Sequence, residues 1–296
     1  MARVVLVHGM WNFVPGAGAE EAAGEKAAAA RPYLAQGMRK AGLTGPVPEP
    51  AMAYYADLLD RVRPAGAQAA GAPPGFEALS EPEREVAAQW LVAAGAPVPP
   101  QLQNIAVAPL RQLVGWLVDD RTGPIARRLR DGIVGRLERA VVGVLHEVRA
   151  YTAAPDGAGS GPRVLVRERV AEVIRRERPQ VVVAHSLGSV VAYETLHAHP
   201  DLEVPQLVTI GSPLRLPVLA DRLDPGLRGG RGARPPGVRH WTNIADVGDL
   251  VAVPPKLADV FPVDQDESVD NGIDFHGLHS YLANGLTALA VLPYLS

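Results

Sequence analysis

At 296 residues with 47% hydrophobic content, the chain can bury a sizeable core as one large domain or two small ones. Its 29 basic and 32 acidic residues give a net charge of −3, which leaves no electrostatic footprint for nucleic acid, and the absence of cysteine excludes disulfides, thiolate catalysis and cysteine metal sites. No segment approaches the ~20 apolar residues of a membrane span, and the first apolar run is too short for a signal-peptide core, so a cytoplasmic location is expected.

Arg3 to Val7 reads as a short β-branched strand that ends in His8-Gly9-Met10-Trp11-Asn12. A first strand ending in His-Gly places backbone N–H groups at the carboxyl edge of a parallel sheet, where ligands collect in open α/β folds. Gly16 and Gly18 do not make a dinucleotide fingerprint, because Glu21 occupies the third glycine position. An Ala-rich helix follows over 19–41, closed by Gly42, and then a strand over 50–55. From 58 to 150 the composition shifts, with Pro73-Pro74-Gly75 and Pro97-Val98-Pro99-Pro100 as breakers. Helices are predicted over 81–94, 101–118 and 124–151, the last with apolar Ile125, Leu129, Ile133, Leu137, Val141, Val144, Leu145 and Val148 at helical spacing. The stretch 58–150 thus reads as a helical lid or cap inserted into a core of 1–57 and 151–296. Trp90 and Trp116 read as packing residues within it.

A link over Asp156–Pro162 leads to a charged helix over 163–178. Val181-Val182-Val183-Ala184-His185-Ser186-Leu187-Gly188-Ser189-Val190-Val191 then reads as a buried strand, a sharp turn with Ser186 at its tip, and a helix that starts at once. Strand and helix approach closely at such a turn, so small residues are needed two positions either side of the serine, and Ala184 and Gly188 meet that need. Further strands are predicted over 206–211, 238–244 and 259–263, and a terminal helix over 281–292. Strand and helix alternate outside the insertion. The fold class is therefore α/β, a mostly parallel twisted sheet with helices on both faces.

A serine hydroxyl is a poor nucleophile unless a positioned base takes its proton. That base would be a histidine held in one tautomer by a carboxylate, and in chain order the acid and then the histidine should follow the serine. Only His276 and His279 lie in a loop after the last strands, and His279 is favoured because it abuts the terminal helix. For the acid, Asp249 precedes an apolar Leu-Val pair that would anchor its backbone, with Asp246 as the alternative. The Leu187 N–H, aided by the positive end of the following helix, and an N–H of the first loop at Met10 would hold a developing oxyanion. His8, Trp11 and His185 are read as flanking the substrate. No metal site and no cofactor are implied.

The strand-His-Gly start, Ala-His-Ser-Leu-Gly-Ser, Ile210-Gly211-Ser212-Pro213-Leu214, the Asp249 loop and the His279-Ser-Tyr-Leu end together resemble the α/β-hydrolase superfamily. Within it the likeness is to bacterial lipase-like and PGAP-type esterases, some of them labelled serine peptidases. The resemblance covers 1–57 and 160–296, and departs from the family in Ala184 standing for glycine and in lacking two leading strands. It implies a Ser–His–Asp hydrolase acting without a cofactor on a small ester, thioester or lipid-like substrate. Two other readings stay open: a biosynthetic thioesterase, cyclase or acyltransferase using the same three residues, and a binding module that kept the fold without the chemistry.

Overall fold

Six parallel strands carry the architecture: β1 (Val4–Val7), β2 (Pro50–Ala53), β3 (Val181–His185), β4 (Val204–Ile210), β5 (Val238–Asp246) and β6 (Gln265–Val269), in the order β2-β1-β3-β4-β5-β6. These come from a computed structural model that describes residues 3–61, 75–122, 130–155, 159–272 and 274–295. The Pro73-Pro74 break, the opening of the helix predicted from 124 and Asp156–Ala158 of the link lie outside the described residues.

The central strands are near-continuous runs of Val, Ile and Leu because a parallel sheet is covered on both faces. Every residue of β1 and β3 is buried. Alternation sends Val4, Leu6, Val181, Val183, Val208, Ile210 and Ile244 into one core with Ala22, Ala30, Leu34, Leu282 and Val291. Those helical residues come from α1 (Ala19–Lys40), α9 (Leu278–Leu282) and α10 (Gly285–Val291). The alternate set, including Val5, Val7, Val182 and Ala184, points the other way, where α6 (Pro162–Glu177) and α7 (Leu187–Ala198) pack against β1, β3 and each other. The short α2 (Ala56–Asp60) follows β2, and α8 (Pro217–Ala220) lies in the excursion between β4 and β5.

The chain leaves β1 for β2 on one side and returns through β3 on the other. Strand order therefore reverses at β1 and β3, and their carboxyl ends open a crevice where ligands bind in such sheets.

Two predicted elements fall elsewhere. The strand expected over 259–263 is instead a 3₁₀ turn at Leu257–Asp259 and a loop, because Pro262 fixes φ and offers no N–H to a ladder. The sixth strand is the polar Gln265–Val269, an edge strand with one partner and therefore without the apolar pattern that announces a buried one. The terminal helix is broken in two at Asn284, whose side chain accepts the Leu286 N–H at 3.0 Å and starts α10 afresh.

The chain forms two compact units, Met1–Val62 with Thr152–Ser296, and Arg63–Tyr151. The second holds α3 (Glu81–Ala93), α4 (Val107–Thr122) and α5 (Arg130–Tyr151), the first of them opened by a Ser80–Glu83 capping box. Trp90, Leu110, Leu117, Val141, Val144 and Tyr151 are buried within it. Glu138 is buried as well, where it accepts the Phe76 N–H at 2.7 Å and pairs with Arg111. Trp90 packs as expected, but Trp116 is 41% exposed, since it lies on the outer face of α4 rather than on the stripe of Leu110, Leu113 and Leu117.

Candidate active site

Ser186 sits at the junction of β3 and α7 with φ 53° and ψ −130°, a conformation non-glycine residues avoid unless their surroundings impose it. Here the surroundings do. The Ser186 N–H donates to the Ile210 carbonyl at 3.1 Å, and its carbonyl accepts from Ser189 twice, the N–H at 2.9 Å and the hydroxyl at 2.7 Å. The Ser189 hydroxyl in turn meets that of Ser212 at 2.8 Å. Gly188 is required: a Cβ there would stand 2.4 Å from the His8 carbonyl oxygen and 2.5 Å from that of Val7. Gly9 is as tightly placed, with a Cβ position 2.6 Å from the Cβ of Ser186. The loop after β1 thus lies directly against the serine.

His276 lies between Ser186 and Asp249. Its Nε2 is 2.9 Å from Ser186 Oγ and its Nδ1 is 2.8 Å from Asp249 Oδ2. A carboxylate only accepts, so Nδ1 carries the proton and Nε2 is left to accept from the serine hydroxyl. Asp249 is buried, which alone raises its pKa. The facing His276, the Val251 N–H at 2.8 Å and the Tyr281 hydroxyl at 2.8 Å outweigh burial and hold the carboxyl below its ordinary value. Gly211, at φ 55°, runs beneath this contact: a Cβ there would come within 2.9 Å of the Tyr281 ring and 3.0 Å of Asp249 Oδ2.

His279, the histidine favoured on sequence grounds, is not in this chain of contacts. Its ring stacks on Tyr33 with centroids 4.1 Å apart and planes 3° from parallel. The reason is that α9 already begins at Leu278, so His279 is on a helical turn facing α1, whereas His276 stays in the loop ahead of it. Asp246, the alternative acid, is the last residue of β5; it accepts the Gly248 and Asn271 N–H groups, and burial raises its pKa. Tyr281 links the backbone of Asp246 to the carboxylate of Asp249, since its hydroxyl accepts the Asp246 N–H at 2.8 Å while donating to Asp249 Oδ2 at 2.8 Å.

The three residues expected to flank a substrate divide. His8 is fully buried, its Nδ1–H donating to the Gly9 carbonyl at 2.7 Å and its Nε2 accepting the Tyr55 N–H at 3.1 Å, and burial lowers its pKa to about 4. His185 is buried too, with Nε2 donating to the backbone carbonyl of His276 at 2.8 Å; burial first, then the neighbouring His276, lower its pKa to about 3. Both are neutral scaffold residues, one holding the β1 loop and the other the His276 loop, because the sheet end packs closely around them. Trp11, at φ 57° and 47% exposed, stands at the surface of the loop. Among the described residues the amides of Met10 and Leu187 make no backbone hydrogen bond, and the Asn12 side chain draws the Gly9 and Met10 carbonyls to itself at 3.1 and 2.8 Å.

Sequence reasoning missed the supporting shell of Gly9, Gly211, Ser189, Ser212 and Tyr281. Gly211 directly follows β4 and Gly9 lies two residues beyond β1, a signal of close approach, but the contacts that require them come from distant parts of the chain. Among the described residues no group of three or more His, Asp or Glu side chains is placed to hold a metal ion, and no helix is long and apolar enough to cross a membrane. No family model matches the chain, and neither curated proteins nor solved structures give a match.

Proposed function

We propose that the protein is a serine hydrolase of the α/β-hydrolase type that cleaves a carboxylic ester through an acyl-enzyme. The observation that carries this reading is the continuous path from Ser186 Oγ through His276 to Asp249, at 2.9 and 2.8 Å. In it, Ser186 attacks the ester carbonyl while His276 Nε2 takes its proton, and Asp249 stabilises the imidazolium without taking up a proton itself. The Met10 and Leu187 N–H groups, the latter at the first turn of α7, receive the charge that develops on the carbonyl oxygen. His276 then protonates the leaving alkoxide. Water, deprotonated by the same imidazole, attacks the acyl carbon; the bond to Ser186 Oγ breaks, the imidazolium returns its proton to Oγ, and the carboxylic acid leaves. The helical unit has the chain position of a cap, inserted between β2 and β3, and we read it as one.

The direct His276–Ser186 contact argues against a binding module that has lost its chemistry. A fluorophosphonate probe tests the proposal: it should label the native protein and spare Ser186→Ala, and an unlabelled native protein would overturn it. A panel of short-chain and long-chain esters, thioesters and peptides, run on both proteins, then identifies the acyl group.

A further inference from the structure

At the other end of α7, twelve residues and about 18 Å of helix from Ser186, the structure has a cleft of about 600 Å3. Its walls are His197 at the end of α7, the Asp224–Gly226 turn and the hairpin Arg228-Gly229-Gly230-Arg231, with Arg167 of α6 at the base. Three guanidinium groups therefore line one space. Arg167 is already matched: its nitrogens bind Glu194 and Asp224 at 2.9 Å, and Arg163 completes a balanced set of two positive and two negative charges. Arg228 and Arg231 lie outside that set, and among the described residues neither has an ion pair.

The hairpin brings these two charges together by construction. Arg228 and Arg231 exchange both backbone hydrogen bonds, 2.8 and 3.1 Å, across a two-residue loop. Gly229 at φ 58° and Gly230 at φ 74° supply the two positive φ angles that a type I′ turn demands. Residues paired this way project from the same face, and like charges directly opposite repel. The hairpin thus places two arginines, without ion pairs among the described residues, on the lining of one cleft, where a dianion would match their charge. Arginine forks match phosphate oxygens bidentately, and the volume falls within the ~300–1,000 Å3 of small-ligand sites. Pro225, Ala198 and Ala233 offer an apolar wall to the remainder of such a ligand.

We propose that this cleft binds a phosphorylated small molecule, with Arg228 and Arg231 clamping its doubly charged phosphate. The site is separate from Ser186 and does not depend on the chemistry proposed there. Isothermal titration of the full chain with pyrophosphate and inorganic phosphate at low ionic strength tests it. Saturable one-to-one binding is expected, weakened about tenfold by Arg228→Gln and by Arg231→Gln and unchanged in Ser186→Ala. No saturable binding, or binding indifferent to both arginine variants, would overturn the proposal. So would equal affinity for citrate, which would mark a general anion patch. Melting of the ligand-free variants guards against a structural role: removing one of two repelling charges should leave the midpoint unchanged or raise it, and a lowered midpoint would also count against the site.

Discussion

His276 owes its position to three contacts from different parts of the chain: Asp249 on Nδ1, Ser186 on Nε2, and the buried His185 ring on its backbone carbonyl. On the proposed chemistry, His276→Ala should slow fluorophosphonate labelling and ester turnover by about 10³–10⁴-fold, the effect expected of a general base beside a serine nucleophile. His279→Ala should keep the wild-type labelling rate and cost about 0.5–1.5 kcal/mol of stability from the lost Tyr33 stack. The pair of variants, measured side by side, tests the geometric assignment. Ser186 and Asp249, which the structure joins through His276, could be picked out from local sequence because each follows a strand end. The histidine could not, since 276 and 279 share one loop and chain order does not distinguish them; only the start of α9 at Leu278 does. Tyr281 was hidden for the same reason, as its hydroxyl reaches Asp246 and Asp249 across 35 and 32 residues. Tyr281→Phe strips Asp249 of a donor and the buried Asp246 N–H of its acceptor, a loss of about 1.5–3 kcal/mol that urea denaturation would register.

Among the elements, α7 is the one on which most depends. Its first turn carries Leu187 and Gly188, and its middle carries Glu194, wholly buried and bound by Arg163 and Arg167 of α6 and by the Asp224 N–H. The sequence pattern showed α6 as a charged helix, and a charged helix ordinarily turns its charges to water. Here two of its arginines turn inward to meet a glutamate that was itself unremarkable within an apolar helix, so the pairing was not legible. Glu194→Gln would leave Arg163 without its counter-charge and Arg167 with the Asp224 carboxylate alone, and the expected loss is about 3–5 kcal/mol, read as a lower urea midpoint at an unchanged slope. The apolar, β-branched elements were legible: β1, β3, β4 and β5 and the helices flanking them follow directly from valine runs and helical spacing. What escaped was the polar edge strand β6 and the break at Asn284, where one partner strand or one side-chain cap decides the structure and periodicity has nothing to register.

For the whole molecule, the two buried neutral histidines at the sheet end set a limit on acid stability. His8 and His185 have folded pKa values of about 4 and about 3, against 6.5 for an exposed imidazole. In the unfolded chain both rings take up a proton near pH 6.5, while in the folded chain neither does until about pH 4. Between those values the unfolded state holds more protons, so stability rises with pH and falls on acidification. The slope is about 1.4 kcal/mol per proton per pH unit, hence about 2.7 kcal/mol per unit for the pair. Burial lowers His197 and His279 in the same direction. The depressed carboxyl of Asp249 works at lower pH, where its stabilising contribution is lost only below the ordinary carboxylate range. Urea midpoints measured from pH 7.5 down to pH 4.5 should accordingly be flat above pH 7 and then drop with a slope near two protons. His185→Gln should reduce that slope by about one proton, because glutamine does not titrate. A midpoint that stays constant down to pH 4.5, or a slope indifferent to His185, would mean that these rings are not held neutral by the fold.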